Sequence, residues 1–155
     1  MPLRKTDMGW MWGNKGPFQN KAQALQVARA SGEAEMTTDK CAEFVLSLFH
    51  AVTNTHLLHL GTRSFSVHSA LGEYYNALNE LVDTFAEAYQ GKYGLIEGYN
   101  ANYSLPPAPL EYLIGICDYI KATRADLPQD SELQNLVDEI ASLTDGTIYK
   151  LRFLE

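Results

Sequence analysis

The stretch that decides the fold is residues 39–61, DKCAEFVLSLFHAVTNTHLLHLG. Apolar side chains recur along it three and four positions apart, which is the spacing of one face of an α-helix. These positions are Val45, Leu48 and Val52. His56 and His59 continue the same stripe, so we expect both histidines on the buried face. Because Gly61 follows the last apolar position, the stretch predicts a long helix over 39–61.

Three further segments show helical spacing of their apolar residues. We expect these helices over residues 66–90, 109–124 and 130–144. The connection between the first pair of helices and the second contains Pro106, Pro107 and Pro109. It is long enough to cross from one end of a bundle to the other. The pattern therefore predicts an all-α, ferritin-like four-helix bundle with a long crossover, occupying residues 38–155.

The N-terminal residues 1–37 have a different character. Glycines and prolines among the first twenty predict an irregular arm, and helix-forming residues over 20–30 favour a short helix. Residues 1–30 carry a net charge of +4 and the remainder −11, which gives −7 for the chain. An acidic body excludes a simple basic nucleic-acid binder. The basic arm is compatible only with weak, salt-dependent DNA binding.

The sequence also indicates a cellular compartment. No long apolar run follows a basic start, so we expect neither a secretory signal nor a membrane partner. Cys41 and Cys117 stand in apolar helical contexts and are too few for a disulfide framework. We therefore expect buried free thiols in a cytoplasmic protein.

Side chains that bind metals cluster in the first two long helices. His56, His59 and His68 fall within thirteen residues, and Asp83 and Glu87 follow one helical turn apart on one face. Imidazole nitrogens and carboxylate oxygens without thiolate suit iron, manganese or zinc. A structural interpretation competes with this one, since histidines also serve as hydrogen-bonded packing residues and paired carboxylates as a solvated helix face.

The spacing of these residues resembles that of the Dps-type ferritins, which are miniature iron-oxidising cages. In that family, a first-helix histidine is followed after eleven residues by a second histidine. An aspartate follows after fourteen more residues, and a carboxylate after three more. His56, His68, Asp83 and Glu87 stand at those separations. Two other residues also match ones usual in the family, namely Phe65 and Ala86.

The first-helix ligand stays open between two histidines. The chain is also similar to the small ferritin-like proteins encoded by tailed phages, through a run of five residues. This run is His56, His59, Thr62, Ser64 and His68. If His59 is the counterpart of the family's first histidine, the loop is three residues shorter, and His56 supports the ligands without binding the metal.

The resemblance implies an activity and an assembly. The chain would form a homo-oligomer, up to a dodecameric cage, that oxidises iron(II) as a ferroxidase and stores the product. His56, His68, Asp83 and Glu87 would be catalytic, with His59 as a further metal ligand. No Glu-x-x-His pair occurs in helices three and four, which excludes the di-iron site inside the bundle of larger ferritins. A two-fold subunit interface would complete the site. The protein would be located in the cytoplasm or, if a phage encodes it, in the host cytoplasm or the virion.

A second interpretation belongs to another class of protein. The chain is then a helical-bundle interaction or structural protein, also compatible with a phage origin, that kept the fold without iron chemistry. Trp10, Met11 and Trp12 would serve as anchors for a protein partner.

Overall fold

The computed structural model describes residues 3–12, 15–19 and 40–155. Four α-helices dominate it, and their bounds match the predicted segments closely at most ends. They are α1 (Lys40–Gly61), α2 (Phe65–Tyr93), α3 (Pro109–Thr123) and α4 (Ser131–Phe153). One turn of 3₁₀ helix, Arg124–Asp126, follows α3. The helices share one hydrophobic core, which confirms the predicted helical bundle for residues 40–155.

The core is built from the apolar stripe of each helix. Its largest fully buried aliphatic and aromatic side chains come from all four helices. They include Phe44, Leu48, Leu71, Leu78, Phe85, Leu113, Ile120, Leu133 and Ile140. Burial of each such side chain contributes about 1.5–3 kcal/mol relative to exposure. The amphipathic pattern therefore accounts for the association of the four helices.

Contacts near the helix ends give the helix directions. The short loop 62–64 joins α1 to α2, and His59 near the end of α1 contacts His68 near the start of α2. Asn54, also in the second half of α1, donates from Nδ2 to the Tyr112 hydroxyl at the start of α3, at 2.9 Å. Helices α2 and α3 therefore both begin at the end of the bundle where α1 ends.

The predicted break of the fourth helix at Asp145–Gly146 is wrong, because α4 continues to Phe153. Ile140, Thr144 and Ile148 are buried along one face on both sides of the glycine. A glycine inside a helix costs about 1 kcal/mol relative to alanine. Burial of the continuing face outweighs that cost.

Both cysteines are free and buried, as predicted. Cys41 belongs to the core through α1. The Cys117 thiol donates to Asp145 Oδ1 at 3.1 Å. Burial raises the pKa of this thiol, and the carboxylate adds to the effect. Both side chains therefore act as small core residues, and the Cys117 thiol keeps its proton at neutral pH.

A network of charges joins the end of α2 to the start of α4. Lys92 Nζ lies 2.7 Å from Asp130 Oδ1 and 2.5 Å from Glu132 Oε1, and the Tyr93 hydroxyl donates to Asp130. Asp130 is the N-cap residue of α4, and its side chain makes no capping hydrogen bond. Burial, with the Asp130 hydrogen bond adding to it, raises the pKa of Tyr93 to about 12.

The irregular arm predicted for the N-terminus is wrong where three short strands lie. They are β1 (Leu3–Thr6), β2 (Gly9–Trp12) and β3 (Lys15–Phe18), paired antiparallel in that order. Asp7 and Met8 form the turn between the first two strands, and Thr6 Oγ1 donates to Gly9 O at 2.8 Å. Gly9 begins β2 and Gly16 lies within β3, and both adopt positive φ angles, which glycine tolerates without strain. The predicted helix over 20–30 and the predicted domain boundary at 37/38 lie outside the described residues.

In the part of the chain that the structure describes, no helix is both long enough and apolar enough to span a bilayer.

Candidate metal centre

The three predicted histidines lie together where α1 turns into α2. His59 is half-buried, whereas His56 and His68 are exposed. The prediction that His56 and His59 extend the buried face is therefore wrong. Thr55 is the last buried residue of α1, and beyond it the helix packs against the first turns of α2, which cover it on one side.

His59 and His68 form a reciprocal pair. His59 Nδ1 lies 2.7 Å from the backbone oxygen of His68, and His68 Nδ1 lies 3.0 Å from the backbone oxygen of His59. Because a carbonyl oxygen only accepts, each Nδ1 carries a proton. In the tautomer that carries only this proton, the lone pair of each ring is at Nε2. Histidine metal ligands commonly have this arrangement, with the other ring nitrogen donating to a backbone carbonyl or carboxylate.

The two imidazole rings also stack on each other. Their centroids are 3.6 Å apart and their planes differ by 24°. The in-plane lone pairs of nearly parallel rings do not converge on one point. A single ion would therefore bind one of the two Nε2 atoms in this geometry, or a ring would have to rotate.

Two residues that hold the pair were not recognised as site residues from the sequence. Gly72 lies under His59, and a Cβ built there would stand 3.2 Å from His59 Cε1. Tyr75 stacks on His56 with ring centroids 4.3 Å apart and meets His59 edge-on at 5.4 Å. A glycine inside an otherwise strong helix pattern was the available signal for Gly72.

The structure pairs His68 with His59 rather than with His56. The ring centroid of His56 lies 6.0 Å from that of His59, and His56 contacts Tyr75 instead of His68. His56 is thus a neighbour of the pair on the same surface.

Asp83 and Glu87 are exposed and lie one turn apart on α2, as their spacing predicts. Fifteen residues separate His68 from Asp83, which corresponds to about 22 Å along the helix axis. The structure therefore does not bring these carboxylates to the histidines of the same chain. Within residues 3–12, 15–19 and 40–155, no group of three or more histidine, cysteine, aspartate or glutamate side chains is placed to hold a metal ion. The described residues of one copy therefore do not form a complete metal centre.

Exposed apolar side chains lie on the same two helix ends as the histidine pair. Leu57, Leu60 and Phe65 have exposed fractions of 45%, 68% and 84%. All three lie on the end of α1 or the start of α2. A cluster of exposed apolar side chains beside polar ligands is typical of a contact surface.

Residues 59–151 match the model of a protein family of unknown function, DUF5856. The chain belongs to this family. The matched segment runs from the end of α1 into the last turns of α4. It includes His59, His68, Asp83 and Glu87, whereas His56 lies outside the match. Among curated proteins, and among solved structures, nothing matches the chain.

Proposed function

We propose that this chain is a Dps-like ferritin that binds iron(II) between two copies of itself and oxidises it. The observation that carries the proposal is the reciprocal pair of His59 and His68. Each imidazole donates from Nδ1 to the backbone carbonyl of the other residue, which leaves Nε2 as the ring nitrogen for a metal ion. Such a pair is a suitable donor for iron, with manganese or zinc as alternatives.

The helix directions support a ferritin-like plan for the bundle. Because α2 and α3 begin at the same end, the connection Gly94–Ala108 runs back along the bundle as a crossover. Asn54 holds its far end, accepting from the Tyr103 hydroxyl at 2.6 Å and donating to Ser104 O at 3.3 Å. One long crossover between two helical hairpins is the plan of this fold.

A second copy of the chain supplies the missing carboxylates in this proposal. When two α1–α2 hairpins pack antiparallel about a two-fold axis, His68 of one copy approaches Asp83 and Glu87 of the other. The same packing covers Leu57 and Phe65, which removes exposed apolar surface from water. Further contacts of this kind would build a cage, up to a dodecamer.

The proposed residues have separate tasks. His59 or His68 donates a nitrogen lone pair to the iron, and both do so only after one of the stacked rings rotates, with His56 beside them. Asp83 and Glu87 offset the charge that grows as iron(II) becomes iron(III). For peroxide as oxidant, two iron(II) ions each give up one electron, and hydrogen peroxide takes both electrons and two protons to form two waters. The net charge of −7 attracts the cationic substrate. DNA binding stays weak, since the basic residues are few.

Size and iron binding measured together test this function. Light scattering should show an oligomer at micromolar concentration, and calorimetry without oxygen should show iron(II) binding. Asp83→Ala and Glu87→Ala should abolish both iron binding and peroxide-dependent oxidation. Glu139→Ala, which removes an exposed carboxylate from α4, is the matched control and should change neither. A monomer that binds no iron would contradict the proposal.

One observation favours a second candidate function. Phe65 and Leu60 are strongly exposed on the helix ends that carry the histidines, and the described residues of one chain form no complete metal centre. A helical-bundle interaction protein would use this surface to contact a different protein. It would then be monomeric when purified and would bind no iron.

A further inference from the structure

A cavity lies away from the histidine pair, between α1, α3 and the connection that precedes α3. Its volume is about 410 Å³, within the range of small-molecule sites. Nine residues line it, and eight of them carry a hydroxyl, amide or imidazole group. They are Ser47, His50, Asn54, Asn102, Tyr103, Ser104, Tyr112 and Tyr119, with Ile116 as the ninth.

Asn54 organises this cavity from its wall. Its side chain is only 3% exposed, and it makes three hydrogen bonds. Oδ1 accepts from the Tyr103 hydroxyl at 2.6 Å, while Nδ2 donates to Tyr112 at 2.9 Å and to Ser104 O at 3.3 Å. Both amide protons are therefore committed to the protein. The amide fixes the two tyrosines and leaves ligand contacts to them.

The direction of these bonds determines what the tyrosines offer. The Tyr112 oxygen accepts from Asn54, and among the described residues its own proton goes to none, so it is free to donate. The Tyr103 proton goes to Asn54, so its oxygen is free to accept. His50 lies edge-on to Tyr103 with ring centroids 5.0 Å apart and adds an imidazole. Burial raises the pKa of Tyr112, which keeps its phenol protonated at neutral pH.

The lining excludes several ligand classes. Among the described residues, the lining has no lysine or arginine, and the chain is acidic, so carboxylates, phosphates and nucleic-acid strands find no counter-charge there. The described lining also has no carboxylate or thiolate and a single imidazole, which is too little for a metal ion. Its one aliphatic residue, Ile116, makes it unsuited to an apolar ligand, which would leave the hydroxyl groups without partners.

We propose that this cavity binds a neutral ring that carries hydroxyl groups, namely a sugar unit. Ligand hydroxyls both donate and accept, as do the hydroxyl groups that line the cavity, so each ligand group finds a partner. The aromatic rings of Tyr103 and Tyr119 supply apolar surface for the carbon face of the sugar. The proposal concerns a surface other than the histidine pair and does not depend on iron binding.

Saturation-transfer NMR and calorimetry on the full chain test the proposal with defined probes. Glucose and N-acetylglucosamine represent free sugars, and uridine represents a sugar within a nucleoside. We expect saturation of the sugar ring protons for at least one probe. Glucose 6-phosphate and acetate should bind more weakly than the neutral sugars. Uridine binding without hexose binding would assign the site to nucleosides.

Variants of the lining decide whether this cavity is the binding site. Tyr112→Phe keeps the ring and removes one donor, so it should weaken sugar binding about tenfold. His50→Ala should weaken it as well. Tyr149→Phe removes an exposed hydroxyl on α4 and should change nothing. Thermal unfolding of each variant shows whether it folds. The proposal is overturned if no neutral probe binds at a concentration of about 10 mM. It is also overturned if the anions bind more tightly than the neutral sugars, or if the folded Tyr112→Phe and His50→Ala variants bind sugar as tightly as the unchanged chain does.

Discussion

The ring of His59 rests directly on Gly72. A Cβ at position 72 would stand 3.2 Å from Cε1 and 3.3 Å from Nδ1 of His59. Nδ1 is the atom that donates to the backbone oxygen of His68. The absence of a side chain at Gly72 is therefore part of the geometry that sets the tautomer of the histidine pair.

Gly72→Ala should disturb the histidine pair without weakening the fold. The added methyl group displaces the His59 ring, while alanine gains about 1 kcal/mol of helix propensity over glycine. Imidazole nitrogen NMR should show that the Nδ1 proton of His59 loses the slow exchange with solvent that its hydrogen bond to the His68 backbone oxygen provides. Gly115→Ala is the matched control, because a Cβ there meets nothing within 4 Å. Identical imidazole spectra before and after Gly72→Ala would contradict this role.

Tyr74 and Thr144 form a buried pair whose removal should have unequal costs. Thr144 Oγ1 donates to Ile140 O at 2.9 Å, so the Tyr74 hydroxyl must donate to Thr144, 3.1 Å away. Thr144→Val leaves the buried Tyr74 hydroxyl without an acceptor and should cost about 1–3 kcal/mol in the free energy of unfolding. Tyr74→Phe should cost less, about 1 kcal/mol.

Urea unfolding of the single and double variants checks this order. The double variant should recover part of the Thr144→Val loss, since no buried hydroxyl is then unpaired. Thr84→Val is the control, because Thr84 makes the same kind of bond to Glu80 O on an exposed face. If Tyr74→Phe costs more than Thr144→Val, the assigned donor direction is wrong.

The link between α2 and α4 should make stability depend on pH in the acidic range. The hydrogen bond from Lys92 is the main cause that lowers the pKa values of Asp130 and Glu132. Carboxyl groups with lowered values stabilise the fold above their ordinary pKa, near pH 4, and lose that contribution as pH falls through the folded value.

Lys92→Met should therefore destabilise the fold at neutral pH, with the difference shrinking below about pH 4. Thermal unfolding from pH 7 down to pH 3 measures it. Arg152→Met removes an exposed cation near the other end of α4 and serves as the control. A difference that stays constant down to pH 3 would show that Lys92 acts through packing alone.

The helices could be predicted from sequence because each carries its own apolar stripe. The end of α4 was missed, since local rules treat Asp145–Gly146 as a break. The helix continues through these two residues because Thr144 and Ile148, on either side of them, are buried in the core of the bundle. The glycine content of the first twenty residues predicts an irregular arm. The strands β1 and β2 form nevertheless, because two short runs on either side of the Asp7–Met8 turn pair with each other.

The site was predictable only in part. A hairpin of two helices brings residues near its loop together, so sequence spacing was sufficient to place the three histidines at one end of the bundle, but it left open whether His56 or His59 pairs with His68. The angular position of Asp83 on α2 was also predictable, but its height along the axis separates it from His68. Contact partners such as Gly72 for His59 depend on how the two helices pack, which the spacing of one chain does not determine.

Complementation between two inactive variants tests the central claim most directly. Asp83→Ala and His68→Ala should each abolish iron(II) binding alone. After unfolding and refolding together, random pairing puts both types of subunit in half of the dimers. Each mixed dimer then holds one site with an intact His68 and an intact Asp83, and the mixture should recover about a quarter of the wild-type iron sites. Calorimetry without oxygen counts them. No recovery, in a mixture shown by mass spectrometry to contain mixed dimers, would contradict an iron site shared between two copies.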